Sequence, residues 1–322
     1  MVDSGPLARL GFGSSVLGPD LNRRAQWALL EAAFDAGIRH FDVAPSYGHG
    51  QAERALGEVL ASVRDQVSIA SKVGIGHPAA AGRLTLVRQW LRPLKRLAPV
   101  LWRAGALRVR HAAAPRGRFG STEVTATVHE SLRRLGTTRI DHLLLHEVQA
   151  SDIDDRLLAT LQALQQRGLV GQLGLGTTVA HSVAILAQHG HAFGRVQTSH
   201  YWGAFTPSLA IPGRRLLTHR CLRAGLQVAQ SPAMQAQLAS HPSVASVLPL
   251  LTDRACLPEL LVTAGLRATA DGVLLLSSSD PARVRAFARW AAAPRWPAAA
   301  DVLNDCLRQL CQPGTTATVI DA

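Results

Sequence analysis

Hydrophobic positions along the chain fall into two alternating patterns, which predict strands and helices in turn. Short apolar runs are typical of buried strands, whereas apolar residues at helical spacing are typical of amphipathic helices. The predicted strands cover 8–13, 38–43, 67–73, 139–146, 171–176, 194–199, 226–231 and 272–278. The predicted helices cover 22–37, 51–61, 121–135, 151–167, 180–188, 213–223, a segment within 255–267, 280–292 and 300–311.

Strands that alternate with helices indicate a parallel sheet with helical crossovers. Eight such units without an obvious linker predict an α/β fold with one domain over residues 1–322, a closed (β/α)8 TIM barrel. An open doubly wound sheet is the alternative. Its usual dinucleotide signal, G-x-G-x-x-G opening a helix, is missing, because no helix directly follows the glycines of "LGFGSSVLG". The barrel is therefore the preferred interpretation.

The carboxyl ends of the predicted strands carry polar residues, and in such barrels the active site forms at these ends. Strands two, three and four end at or near Asp42, Lys72 and His146, and Tyr47 lies in the loop after strand two. The remaining strand ends are also polar and offer Thr177, Gln197, Gln230, Ser231, Ser277, Ser278 and Ser279. The barrel interpretation thus predicts that these side chains converge on one mouth.

The positive charge of the chain comes almost entirely from arginine, and one of its few lysines lies at a predicted strand end. Lysine and arginine number 34 against 22 acids, a net charge of +12, yet only Lys72 and Lys95 are lysines. An amine changes its pKa readily when it is buried, whereas a guanidinium stays charged. Where an arginine-rich chain keeps a lysine at a strand end, the site is expected to need an amine. Lys72 is therefore a candidate functional residue.

Composition and motifs argue against several other classes of protein. No apolar run is long enough to span a membrane, and the N-terminus lacks the pattern of a signal peptide. Four scattered cysteines without metal-ligand spacing indicate a reducing, cytoplasmic setting and no metal site. No nucleic-acid motif accompanies the positive charge, so neither nucleic acid nor a membrane is expected as a partner.

Three stretches of the chain resemble, in the same order, motifs of the aldo-keto reductases. They are "AGIRHFDVAPSYGHGQAERALGEVL", "IASKVG" and "SLRRLGTTRIDHLLLH". The resemblance implies a (β/α)8 barrel that binds a nicotinamide dinucleotide without a Rossmann fold. It also implies an NAD(P)-dependent oxidoreductase that interconverts a carbonyl (aldehyde, ketone or sugar lactone) and an alcohol or lactol. The implied catalytic tetrad is Asp42, Tyr47, Lys72 and His146.

Each residue of that tetrad has a chemical task. Tyr47 is the expected general acid or base, and a phenol has an ordinary pKa of about 10. The ammonium of Lys72 is expected to lower that pKa, and Asp42 to keep the amine charged and oriented. His146 is expected to hydrogen-bond the substrate oxygen or to share in proton transfer. Two alternatives remain: a cofactor-binding regulatory subunit, or a biosynthetic enzyme that uses the tetrad for a non-redox step.

The expected cofactor residues follow the family pattern less closely. They are Gly13, Ser14, Asp42, Gly176, Thr177, Gln197, Gln230, Ser231, Ser278 and Arg283. "GLGT" stands where the family has GxSN, and "QSPAM" replaces "YSPL", so Gln230 takes the place of the aromatic residue that stacks on the nicotinamide. Ser278 and Arg283 match a contact to a 2′-phosphate, since a guanidinium suits a phosphate. The implied cofactor is NADP(H), with NAD(H) as the alternative.

The substrate side departs most from the family. Residues 77–120 form a long insertion after strand three, with ten lysines or arginines and no acid. We expect this insertion to be a lid on the C-terminal face that favours a bulky or anionic small-molecule substrate. His77, Tyr201 and Trp202 fall in mouth loops and are the expected substrate contacts. A monomer or a small homo-oligomer is expected.

Overall fold

Eight short strands pair in parallel, each with the next along the chain, and the last pairs with the first. They are β1 (Leu10–Gly13), β2 (His40–Asp42), β3 (Ser68–Val73), β4 (Ile140–His146), β5 (Val170–Gly176), β6 (Arg195–Ser199), β7 (Arg215–His219) and β8 (Val273–Leu276). The computed structural model describes residues 6–75, 116–200, 214–230, 232–240, 247–269 and 271–310. The predicted closed barrel is confirmed, and the open-sheet alternative is wrong.

Helices connect successive strands around the barrel. In the described ranges they are α1 (Arg23–Asp35), α2 (Gln51–Leu60), α3 (Ser121–Leu135), α4 (Asp155–Gln166), α5 (Val179–His189), α6 (Cys221–Gln230), α7 (Pro232–Ser240), α8 (Leu248–Thr252), α9 (Leu257–Ala268), α10 (Pro281–Ala292) and α11 (Pro297–Leu310). Side-chain caps set several helix starts: Asn22 accepts from the Ala25 N–H at 2.8 Å, and Asp154 from the Leu157 N–H at 2.7 Å. None of the helices in these ranges is long and apolar enough to cross a membrane.

One strand and one helix do not lie where the sequence pattern predicted them. The predicted helix 213–223 and strand 226–231 are wrong, because β7 comes first and α6 follows it. The strand was missed because its apolar run is only two residues long, Leu216 and Leu217, between an arginine and a threonine. The helix buries residues at one-turn spacing, the pattern of a single helix face: Cys221, Gly225 and Ala229.

The inner face of the barrel is identified by a contact across it. Asp42 on β2 binds Gln197 on β6, on the opposite side of the closed sheet, so both side chains face the interior. Alternate residues of a strand share a face, and paired residues of neighbouring parallel strands do so as well. The strand register therefore assigns each remaining strand residue to the interior or to the helix-covered outside.

The interior is stratified along the barrel axis. A floor cluster lies near the amino ends of the strands and consists of His40, Ser68, His142, Arg195 and Arg215. On β7 and β8 the inner face carries an apolar plug, a small cluster separate from the main hydrophobic core, made of Leu217, Val273 and Leu275. Toward the carboxyl ends of the strands, the mouth carries Asp42, Lys72, Gln197 and His219. Polar side chains thus occupy both ends of the interior, and the apolar plug fills part of it at β7 and β8.

Candidate active site

The amino group of Lys72 lies at the centre of the mouth. Its Nζ is 2.7 Å from each carboxylate oxygen of Asp42, 3.3 Å from the main-chain oxygen of Val43 and 3.2 Å from the Tyr47 hydroxyl. The side chains of Lys72 and Asp42 are only 3% and 5% exposed. An ammonium has three N–H donors, and here acceptors surround all of them. Three residues that the sequence analysis grouped together are therefore in direct contact.

The backbone explains how this contact forms. β2 and β3 pair Asp42 with Ala70, so Lys72 lies one step further toward the mouth on the same inner face. Tyr47 begins a tight turn, Tyr47–Gly50, in which Gly48 has a φ of 55°. A Cβ on Gly48 would lie 2.7 Å from the main-chain oxygen of Leu17. Glycine thus lets this loop close over the end of the barrel, which brings the phenol back to Lys72.

Gln197 joins the cluster from the opposite side of the barrel. Its Nε2 donates a hydrogen bond to Asp42 Oδ1 at 2.8 Å, and the residue is 4% exposed. The buried carboxylate therefore accepts from an ammonium and from an amide, which compensates its removal from water. Because the NH₂ end of Gln197 binds Asp42, the amide oxygen is the end suited to accept an N–H from a ligand.

Burial and charge act in opposite directions on the pKa values of Lys72 and Tyr47. Burial lowers the pKa of the Lys72 amine, but Asp42 and Tyr47 outweigh burial, so the pKa is raised above its usual value. Burial raises the pKa of Tyr47, and Lys72 offsets this only in part, so the phenol pKa lies above 10.0. Lys72 thus lowers the Tyr47 pKa, as expected, but burial outweighs it, and the phenol keeps its proton at neutral pH.

His146 ends β4 and is a neutral imidazole at neutral pH. Burial lowers its pKa to about 3, and the charges of Lys72, His219 and Arg116 add to this. A neutral imidazole donates one hydrogen bond from its N–H but is not charged, so it is a poor proton donor compared with an imidazolium. Of the two tasks expected for His146, hydrogen bonding to a ligand fits its charge state better than proton donation does.

A second histidine of the mouth, His219, was not predicted from the sequence. It ends β7 and lies on the same inner face as Leu217, which pairs with Val273 on β8. Burial lowers the pKa of His219 to about 3, with contributions from Arg220 and Lys72. The signal was present, because "LLTH" in β7 resembles the "LLLH" that ends β4. It went unnoticed because strand seven was predicted about ten residues too late.

Uncommon backbone conformations occur near Tyr47, His146 and His219. In the described part of the chain, the non-glycine residues with positive φ are His49 at 55°, Glu147 at 56° and Arg220 at 63°. His49 lies two residues after Tyr47, and the other two directly follow His146 and His219. Such conformations are uncommon for residues with a Cβ, and they cluster at functional sites. His219 thus shares with His146 both its place at a strand end and its strained neighbour.

Several of the residues expected to hold a cofactor lie around the rim of the mouth. Gly13 ends β1, and Gly176 ends β5 with Thr177 directly after it. The Ser277 hydroxyl after β8 donates to the main-chain oxygen of Gly13 at 2.7 Å. The Ser14 hydroxyl is fully buried and has no hydrogen-bond partner among the described residues. An unpaired buried hydroxyl is costly, so Ser14 is suited to bind a polar ligand atom.

Ser278 and Arg283 lie where β8 passes into α10. Ser278 is 5% exposed, and its hydroxyl accepts from the main-chain N–H of Asp280 at 3.1 Å. Arg283 is exposed and lies in the first turn of α10, which begins at Pro281. The amino end of a helix carries a partial positive charge. A guanidinium at this end gives a surface suited to a phosphate.

Other predicted site residues lie elsewhere. Gln230 is the last residue of α6, so its predicted place at the end of strand seven is wrong, and His219 holds that place. Ser231, His77, Tyr201 and Trp202 lie outside the described residues, and their roles remain predictions. Within the described ranges, no group of three or more histidines, cysteines or acids is placed to hold a metal ion.

The end of the insertion 77–120 meets the mouth. Of this segment the structure describes 116–120, where the buried ring of Phe119 covers Gly74, the residue after β3. The Arg118 N–H donates to the Gly74 oxygen at 3.1 Å, and Arg116 forms an ion pair with Glu147 at 2.8 Å. The described end of the insertion therefore contacts the carboxyl ends of β3 and β4, the face that carries Lys72.

A closed (β/α)8 barrel with a lysine, a carboxylate and a tyrosine in contact at its mouth is the architecture that the three sequence motifs implied. Comparison with known families agrees with this assignment. The sequence model described as the Aldo/keto reductase family matches residues 9–198, more than half of the 322-residue chain. The chain belongs to this family. The family resemblance of its three motifs is thereby confirmed.

Relatives in the family carry different activities in their names. D-threo-aldose 1-dehydrogenase of a Pseudomonas species is 34% identical over 182 residues, which are 54% of this chain and 51% of that protein. Pyridoxal 4-dehydrogenase of Microbacterium luteolum is 35% identical over 143 residues, 43% of this chain and 39% of that protein. This chain thus spans about half or less of the length of these relatives.

Solved structures show the same fold over nearly the whole chain. An aldo-keto reductase of Bacillus halodurans has a TM-score of 0.68 at 18% identity, covering 93% of this chain and 92% of that one. An aldo/keto reductase of Klebsiella pneumoniae, solved in complex with NADP and acetate, has a TM-score of 0.63 at 17% identity, covering 93% and 91%. At these identities the likeness shows a shared fold.

The pKa of Tyr47 can be measured directly, because the chain has only two tyrosines, Tyr47 and Tyr201. In a Tyr201→Phe background, ultraviolet absorbance of tyrosinate follows Tyr47 alone. We expect a pKa above 10.0, because burial outweighs the ammonium. Lys72→Met should raise the pKa further, since it removes the cation that favours the phenolate. A midpoint below 10.0 in protein that near-ultraviolet circular dichroism shows to be folded would contradict this assignment.

Proposed function

We propose that this protein is an NAD(P)-dependent oxidoreductase that interconverts a carbonyl and an alcohol, with Tyr47 as the general acid and base. The observation that carries the proposal is the 3.2 Å contact between the Tyr47 hydroxyl and the buried ammonium of Lys72, which Asp42 holds in place. A nicotinamide cofactor, when bound, supplies the hydride for reduction or accepts it in oxidation. This chain's own residues bind the substrate and move the proton.

In the reducing direction, Tyr47 Oη donates its proton to the carbonyl oxygen of the substrate as the hydride adds to the carbonyl carbon. Lys72 Nζ stabilises the phenolate that remains, and Asp42 keeps the amine charged and in place. The neutral imidazole of His146 donates its N–H to the same substrate oxygen, which orients the carbonyl. A phenol that keeps its proton at neutral pH is the form that this direction needs.

In the oxidising direction, the Tyr47 phenolate removes the hydroxyl proton of an alcohol or lactol. Because burial raises the pKa of Tyr47, little phenolate is present at neutral pH. Oxidation should therefore speed up as pH rises toward that pKa. Reduction should stay constant through neutral pH and decline only when the phenol ionises. Titration of Tyr47 thus gives oxidation and reduction opposite pH dependences.

The residues around the mouth fit a nicotinamide dinucleotide. The Gln197 amide oxygen suits a carboxamide N–H, and the unpartnered buried hydroxyl of Ser14 suits a polar atom of the ribose or pyrophosphate. Ser278 and Arg283 suit a 2′-phosphate. The Klebsiella pneumoniae structure in complex with NADP supports NADP(H) as the cofactor, with NAD(H) as the alternative.

For the substrate we propose a small, oxygen-rich aldehyde or its cyclic lactol. The relatives named for an aldose and for pyridoxal support this class. The basic residues of the insertion 77–120, with Arg116 at the mouth, support a substrate that carries an anionic group. Affinity for such a substrate should fall as salt rises, because screening weakens a field of one sign.

Tyr47→Phe tests the proposed acid–base role, because it removes the hydroxyl and keeps the ring. We expect kcat for aldehyde reduction to fall by about 100-fold or more, the scale of general acid catalysis. The Kd for NADPH, measured by fluorescence titration, should change little. The assay uses aldoses, pyridoxal and simple aldehydes, in both directions and across pH.

Two results would count against this proposal in different ways. A Tyr47→Phe protein that keeps most of its kcat would show that another group supplies the proton. A wild-type protein that binds NADPH but turns over no carbonyl or alcohol would favour a cofactor-binding regulatory role instead.

Arg283→Ala tests the cofactor preference. Loss of a charge-assisted hydrogen bond should weaken NADPH binding about tenfold or more and leave NADH binding nearly unchanged. Arg285→Ala is the matched control, because Arg285 is an exposed arginine of the same helix. Equal losses for the two cofactors would contradict a 2′-phosphate contact at Arg283.

His219 belongs to the proposed site as a hydrogen-bonding contact of the substrate. We expect His219→Leu to lower kcat/KM by about tenfold, the scale of one lost hydrogen bond, while the Kd for NADPH stays within about twofold. His191→Leu, at an exposed histidine, is the control and should behave as wild type. An unchanged kcat/KM in His219→Leu would remove this residue from the site.

A further inference from the structure

The floor cluster, at the end of the barrel opposite the mouth, takes no part in the proposed reaction. It brings together basic side chains from four strands. The rings of His40 and His142 lie 5.6 Å apart, and the Ser68 hydroxyl is 2.9 Å from His142 Nε2. Arg195 and Arg215 face the interior beside them as a register pair. These residues lie near the amino ends of their strands, whereas Lys72 and the rest of the mouth lie near the carboxyl ends.

Neither arginine of the floor cluster forms an ion pair within the described residues. Arg195 donates to the main-chain oxygen of Gly194 at 3.2 Å. Arg215 donates to the main-chain oxygens of Asp271 at 3.1 Å and Ala8 at 3.4 Å. Main-chain oxygens orient a guanidinium but carry no full charge to neutralise it. Two half-buried cations thus lie side by side, and the positive charge of Arg215 lowers the pKa of Arg195 in addition to burial.

Two acids adjoin the cluster but do not balance its charge. Asp141 lies on the outer face of β4, where Arg64 and Arg139 hold its carboxylate at 2.8 Å and 2.9 Å. Asp271 acts on a further arginine, Arg9, whose pKa burial lowers in spite of that carboxylate. The floor therefore keeps an excess of positive charge in a partly buried place.

Each histidine of the floor cluster has one ring nitrogen that is not hydrogen-bonded to any described residue. His40 Nε2 and His142 Nδ1 are buried and have no hydrogen-bond partner among the described residues, and His40 as a whole is 8% exposed. Burial holds the pKa of both imidazoles low, about 4 for His142, so both are neutral at neutral pH. A neutral imidazole has one N–H whose position adapts to its partner. An anion in the cluster would give these atoms the partner that they lack.

We propose that the floor cluster is a binding site for a small tetrahedral oxyanion such as inorganic phosphate. The guanidinium groups of Arg195 and Arg215 offer the paired N–H donors that oxyanions accept, and His40 and His142 offer further N–H groups. Gln172, the register partner of His142 on β5, is exposed, so solvent reaches this end of the barrel. The site is distinct from the proposed reaction site, because it lies at the opposite ends of the strands.

Thermal denaturation tests the site with inorganic phosphate as the probe, at an ionic strength kept constant with chloride. We expect phosphate to raise Tm in a saturable way, because it binds the folded state. Arg195→Met and Arg215→Met should each weaken the apparent affinity at least tenfold. Arg156→Met, at an exposed arginine of α4, should respond as wild type. Arg283→Ala should also respond as wild type, which separates the floor from the phosphate end of the proposed cofactor site.

Equilibrium dialysis with labelled phosphate measures the same site without relying on the stability of a variant. With NADPH present to occupy the proposed cofactor site, wild type should bind one phosphate per chain, and His40→Leu and Arg215→Met should weaken that binding at least tenfold. Glycerol phosphate in competition distinguishes free phosphate from a phosphate carried by a metabolite, and displacement in either form supports an oxyanion site. The proposal is overturned if wild type binds no phosphate, or if Arg283→Ala abolishes binding that Arg215→Met leaves unchanged.

Discussion

The buried ion pair between Lys72 and Asp42 is the contact on which the mouth of this barrel depends. With both side chains at 5% exposure or less, neither charge has water to stabilise it. Losing one partner from such a pair costs about 3–5 kcal/mol, because the other charge stays buried alone. The pair also holds the Tyr47 phenol on one side and the Gln197 amide on the other. One interaction therefore ties the loop after β2 to three strands of the sheet.

Closure of the barrel is the condition for that interaction. Asp42 and Lys72 come from neighbouring strands, but Gln197 reaches Asp42 from the far side of the sheet. An open sheet would leave the carboxylate with one partner fewer and open to water. The apolar plug, Leu217 with Val273 and Leu275, fills part of the interior at β7 and β8. The same fold thus supports the proposed reaction site at one end and an excess of positive charge at the other.

Much of this architecture could be predicted because it depends on local patterns of apolar and polar residues in the sequence. Apolar runs that alternate with helical spacing indicated the barrel, and strand ends indicated Asp42, Lys72 and His146. β7 failed because two apolar residues make too short a run to separate a strand from a helix. Because of that single error, Gln230 was predicted at the end of strand seven in place of His219. His219 was therefore not predicted as a residue of the mouth.

The sequence by itself determined the order of strands and helices, the family motifs and the four residues that mark the mouth, because each depends on spacing along the chain. Only the tertiary structure decided the direction of the Tyr47 pKa, since burial outweighs the neighbouring ammonium and burial is a property of the packed protein. The same holds for the floor cluster, in which His40 and Arg215 lie 175 positions apart in the sequence and meet only when the sheet closes. Proximity between distant residues is set by strand register, and no local pattern encodes it.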